Sequence, residues 1–186
     1  DTYLFSFFSV VDKNYKSTKW DVVKETSIEI YAQEINQLYP DCKFIQIIRD
    51  PRDNYASIKA GSEKHYSRFG ESEKHILASL INRYSHGLTV ASRNLEVLGE
   101  DKYMVIKYED LCENSEHVMA NISSFLKINF SNSLLTPTVL SRDTKGNNWE
   151  GDKFYQISNK NINRWKERIT EQEAKIIEFH FAHLMK

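Results

Sequence analysis

Glycine is scarce in this chain: six residues in 186, the first of them Gly61. A Gly-x-x-x-x-Gly-Lys-Ser/Thr loop is therefore absent, and no paired magnesium-binding acid is visible, which disfavours a P-loop phosphotransferase. Two cysteines, Cys42 and Cys112, are too few for a disulfide framework, and Cys42, just ahead of an apolar run, reads as a small apolar residue. Neither sign of charge dominates, with 25 Lys and Arg against 26 Asp and Glu for a net −1. Nothing in that balance points to a global attraction to nucleic acid or a membrane surface. No apolar run approaches a membrane span, and no charged, apolar and small succession marks a signal peptide. The six histidines form no metal cluster: His180 and His183 can share a helix face, but no third ligand stands at a useful spacing. Repeats and low-complexity tracts are also missing, and nothing marks a second domain within residues 1–186.

What is present suffices for one core of ordinary domain size, 40% of residues being hydrophobic and 12% aromatic. Strand-like and helix-like segments alternate, which predicts an α/β fold, a parallel sheet flanked by helices. Residues 3–11 (YLFSFFSVV) read as a helix or a strand, and Val22–Val23 as a short strand. Ile28, Tyr31, Ile35 and Leu38 recur at helical spacing before Pro40. A helix is expected from the Arg49 region to near Gly61. A polar stretch, 62–70, follows as a loop near the site or a solvated connector. The pattern then predicts a long helix from about Ser72 to Leu98 with Gly99 as its stop. Residues 131–163 are polar and Asn-rich, and read as irregular structure folding across a ligand. Thr170-Glu171-Gln172-Glu173 is a capping box opening the last helix.

The most informative stretch is Phe44 to Asp53 with Asn54-Tyr55-Ala56-Ser57 behind it. Phe44–Ile48 is an apolar, β-favouring run broken only by Gln46, suited to a strand buried on both faces. Pro51 cannot extend that strand but fits the first turn of a helix, with Asp50 as its N-cap. Arg49 then stands at the carboxyl end of the strand, where ligands bind in open α/β sheets, and its planar fork matches a phosphate. Ser57 lies two turns into the helix, about 9 Å along its axis, within reach of the same group. Asp50 and Pro51 would equally suit any helix start, and Arg52 with Asp53 reads also as a solvated pair.

The string RDPRDNYAS, led by KFIQII, resembles the 3′-phosphate signature of sulfotransferases that use 3′-phosphoadenosine 5′-phosphosulfate (PAPS). Further segments are similar to the same family in the same order. Trp20–Lys24 resembles its strand ending in lysine, Tyr103–Leu111 its strand and Tyr-Glu-Asp-Leu turn, ISSFLKI (122–128) the helix end that follows, and Asn163–Lys166 its closing element. The resemblance spans roughly residues 19–185 and is closest to the bacterial and Golgi-like branches. It implies that Arg49 and Ser57 bind the 3′-phosphate, that Tyr108 packs at the adenine, and that Lys24 contacts the sulfate and leaving oxygen. Lys24 otherwise reads as a surface lysine, and Tyr108 as a core tyrosine. Glu109 and Asp110 are expected to cap the next helix, while Trp149 and Trp165 read as packing groups.

Departures from the family pattern are equally specific. Glu25 and Thr26 follow Lys24 where the small-molecule branch carries a histidine base. Ser158-Asn159-Lys160 stands where that branch has Arg-Lys-Gly, so Lys160 or Arg164 is expected to supply the charge. The family's opening strand and Ser-Gly-Thr-Thr phosphosulfate loop are not found, and the chain begins at Asp1. A partial domain is therefore expected, holding the 3′-phosphate and adenine half of the donor site, with the loop and the base elsewhere. The expected activity is sulfuryl transfer from PAPS to a hydroxyl or amine of a small-molecule, carbohydrate, lipid or peptide acceptor. No metal or nucleic acid is expected to take part, and a cytoplasmic location is expected. The alternative is a catalytically inactive nucleotide-binding or interaction protein of the same fold.

Overall fold

The computed structural model describes residues 21–65, 73–139, 142–143 and 156–182. A 3-10 turn, Ile28–Tyr31, leads into helix α1 (Ala32–Leu38), and strand β1 (Phe44–Ile48) follows. Helices α2 (Pro51–His65) and α3 (Glu73–Leu98) precede strand β2 (Tyr103–Lys107). The two strands pair in parallel, Phe44 opposite Tyr103 and Ile48 opposite Lys107, which brings their carboxyl ends side by side. A parallel pair requires a long crossover, and the helices between the strands supply it. After β2 come α4 (Tyr108–Glu113), α5 (Ser115–Leu126), a 3-10 turn (Asn132–Leu135) and the short antiparallel pair β3 (Thr138–Val139) and β4 (Arg142–Asp143). The closing elements are α6 (Trp165–Arg168) and α7 (Glu171–Phe181). The expected α/β class with a parallel sheet is what forms.

The core lies where α2, α3 and α7 meet. Tyr55, Ile76, Leu80, Ile177 and Phe181 are buried there, and the Tyr84 ring meets Phe181 edge-on at 5.0 Å between centroids. Gln46 interrupts the apolar strand for a reason visible in its partners. It accepts from the Tyr103 hydroxyl at 2.6 Å and donates to the Gly87 carbonyl at 3.3 Å, tying both strands to α3. Two helix ends obey their signals. Gly99 closes the long helix at φ 78°, a left-handed conformation that costs glycine least, and the Thr170/Glu173 capping box is complete.

Four expectations are corrected. Val22 and Val23 form no strand: residues 21–25 are irregular and both valines exposed, and no described strand lies beside them to complete a hydrogen-bond ladder. Strand β1 is not buried on both faces, because Ile45 and Ile47 alternate outward onto an open cleft, Ile47 being 55% exposed. Helix α2 runs past Gly61 to His65; an interior glycine weakens a helix without ending it. Glu109 does not cap α4, whose N-cap, Lys107, has no side-chain cap bond; its carboxylate instead accepts the Asp50 backbone N–H at 2.9 Å across the strand ends. Residues 3–11, 66–72 and Trp149 lie outside the described residues. No described helix is long and apolar enough to cross a membrane.

Candidate functional site

Asp50 accepts the Arg52 backbone N–H at 2.8 Å, so it caps α2 as its position before Pro51 dictates. That start places Arg49 at the last bend between strand and helix. Its backbone carbonyl accepts the Tyr84 hydroxyl, and Asp50 beside it is held by Glu109. Burial pushes the Tyr84 phenol well above its ordinary value, which keeps it a donor to Arg49.

The Arg49 guanidinium lies over the Tyr108 ring at 4.7 Å and donates through one terminal nitrogen to the Asn161 carbonyl at 2.6 Å. Its Nε is buried and has no hydrogen-bond partner among the described residues, so the fork retains an unspent donor there. Tyr108 is the first residue of α4, one position past the end of β2, and stands next to Arg49 because Ile48 and Lys107 are in register. Burial first, and then its hydrogen bond with Cys112, push its phenol up to about 12, so it acts at neutral pH as a ring and a donor, not as a base.

An open cleft of about 1950 Å³ runs along the exposed face of β1, and Arg49, Ser57, Tyr108 and Lys24 all line it. Ser57 arrives from α2 and is half-buried, and Lys24 is exposed on irregular chain. The strand end expected under Lys24 is absent, yet the lysine borders the same cleft. Arg164 is placed differently. It is the N-cap residue of α6, donates to the Asn161 side-chain oxygen at 3.3 Å, and is not among the residues lining the cleft. Lys160 is exposed on the turn before it. Asn161 thus receives one arginine on its backbone oxygen and another on its side-chain oxygen.

Residue-type reasoning missed two participants. Arg52 is no solvated pair with Asp53: it binds both oxygens of Asp50, reaches Glu178 at 2.8 Å and stacks on Trp165 at 4.2 Å. Asp53 is 2% exposed and accepts the backbone N–H groups of Asn163 and Trp165. Local sequence offers Arg52 only Asp50, two residues away, while Glu178 and the backbone partners of Asp53 lie more than a hundred residues away. Among the described residues, no group of three or more His, Cys, Asp or Glu is arranged to hold a metal ion.

Known proteins share the family and the fold of this chain. A model of the sulfotransferase family matches residues 2–132. The fold is similar to the sulfotransferase domain from the curacin biosynthetic pathway, at TM-score 0.58 and 17% identity over 83% of this chain and 58% of that one. It is similar also to the sulfotransferase domain of the Synechococcus PCC 7002 olefin synthase, at 0.57 and 19% over 86% and 57%. Mouse sulfotransferase SULT7A1, solved in complex with PAP, aligns at 0.50 and 17% over 82% and 61%. The chain spans about three fifths of the length of these structures. No curated protein sequence matches it.

Proposed function

Because the chain belongs to the sulfotransferase family, we propose that it forms the 3′-phosphate and adenine side of a PAPS site and serves sulfuryl transfer to a hydroxyl or amine of an acceptor. The observation that carries this reading is Arg49: a guanidinium at the carboxyl end of a parallel strand, ring-stacked, with a buried Nε that has no partner among the described residues. A ligand phosphate at the cleft satisfies such a donor, and the fixed fork of arginine suits its oxygens.

Each residue then has a role matched to its chemistry. Arg49 and Ser57 hold the 3′-phosphate, one from the strand end and the other from the helix that Asp50 caps. Tyr108 offers a ring face and a protonated hydroxyl to the adenine. Lys24, on the cleft rim, supplies positive charge to the sulfuryl end, and Arg164 adds a cation through the turn it shares with Asn161. The nucleotide, when bound, supplies the activated sulfuryl group. Stabilising charge that builds on its leaving oxygen requires a positioned cation and no metal. The acceptor is a small molecule, carbohydrate, lipid or peptide.

Titration with adenosine 3′,5′-bisphosphate and with ATP tests the reading. The bisphosphate binds more tightly if Arg49 and Ser57 form a 3′-phosphate site. Equal or tighter binding of ATP overturns it. Bisphosphate binding with no turnover of PAPS assigns the chain to nucleotide binding alone.

A further inference from the structure

Asp53 takes no part in the roles above, yet among the described residues it is the most deeply buried carboxylate, 2% exposed on the first turn of α2. Each of its oxygens accepts one backbone N–H of the same turn: Oδ2 from Asn163 at 2.7 Å and Oδ1 from Trp165 at 2.9 Å. Asn163 sits at φ 62°, a left-handed conformation that asparagine tolerates better than most residues and that lets neighbouring N–H groups converge on one carboxylate. The same turn carries Asn161, whose carbonyl takes Arg49 at 2.6 Å and whose amide oxygen takes Arg164 at 3.3 Å.

From this chain of contacts we infer that Asp53 is a positioning residue for the 3′-phosphate site: by clamping the 161–165 turn onto α2 it sets where Asn161 holds the Arg49 fork and where Arg164 stands. The inference rests on the reading of Arg49 as the 3′-phosphate ligand. Its physical content is directional. A guanidinium binds phosphate through in-plane N–H bonds, so its usefulness depends on the orientation that the Asn161 carbonyl imposes. A neutral amide at position 53 cannot reproduce the clamp, because its NH2 group would face one of the two backbone donors.

The test compares affinities for adenosine 3′,5′-bisphosphate and adenosine 5′-phosphate in the full chain, as wild type, Asp53→Asn, Arg49→Ala and the double variant. The ratio of the two affinities isolates the 3′-phosphate. Asp53→Asn is expected to reduce that ratio about tenfold while leaving adenosine 5′-phosphate binding unchanged, the scale of one misdirected charge-assisted hydrogen bond. In the Arg49→Ala background it has no further effect on the ratio, because the group it positions is gone. Equal weakening of both nucleotides, or additive losses in the double variant, indicates a merely structural carboxylate and overturns the inference. An unchanged ratio in Arg49→Ala overturns the underlying reading instead, and the inference with it. If Asp53→Asn does not fold, Asn163→Val loosens the same turn at an exposed position, since a β-branched residue resists positive φ. That variant is then expected to lower the ratio, and an intact ratio overturns the inference.

Discussion

Arg49 is the residue on which the strand, the helix and the closing turn converge: its carbonyl is taken by Tyr84, its guanidinium by Asn161 and the Tyr108 ring. A side chain so constrained loses little entropy on binding an anion, which is what makes preorganised sites tight. Replacing it with alanine removes a charged donor worth about 1.5–3 kcal/mol, so bisphosphate affinity, measured by calorimetry, is expected to fall roughly ten- to a hundredfold. An unchanged affinity in a folded variant would place the anion elsewhere. Lys24 predicts the opposite pattern. Its exposed ammonium borders the cleft and is assigned to the sulfuryl end, so Lys24→Ala should slow release of bisphosphate from PAPS by about a hundredfold while barely changing bisphosphate affinity. A loss of affinity without a loss of rate would make Lys24 a nucleotide anchor.

At the scale of elements, the stop of α3 and the start of α7 were legible, because their signals are local. Gly99 and the Thr170/Glu173 box stand where a stop and a start were expected, as do β1, β2 and the long α3. At Gly99 an added Cβ meets nothing within 4 Å, so the left-handed backbone alone sets the cost of a side chain. Gly99→Ala is therefore expected to destabilise by about 1 kcal/mol in chemical denaturation. A cost several times larger would imply contacts around the turn that these neighbours do not make. What local signals did not reveal is equally physical. Val22–Val23 has the composition of a strand, but a strand exists only with a partner. Asp53 reads in sequence as half of a solvated pair and Glu109 as a helix cap, whereas their partners, 110 and 59 residues away, depend on how the elements pack.

Across the whole molecule, stability depends on joining the early helices to the last one, and Glu173 carries much of that joint. It accepts the Tyr55 hydroxyl at 2.5 Å and Lys59 at 3.1 Å from α2 while completing the cap of its own helix. Burial by itself would raise its pKa, but the hydrogen bonds from Tyr55, Thr170 and Lys59 outweigh that and lower it from 4.5 to about 2. A carboxylate depressed in the folded state binds protons more readily in the unfolded chain. Its contribution is complete above about pH 4.5 and is lost as pH falls toward about 2. Glu173→Gln should therefore lower stability near neutral pH, on the order of 2 kcal/mol for weakened bonds to Tyr55 and Lys59. It should also flatten the acid limb between those two pH values. Thermal unfolding of both proteins from pH 7 to pH 2 reads the two effects together. Parallel acid limbs would show that Glu173 is not the carboxylate whose protonation loosens α7 from α2.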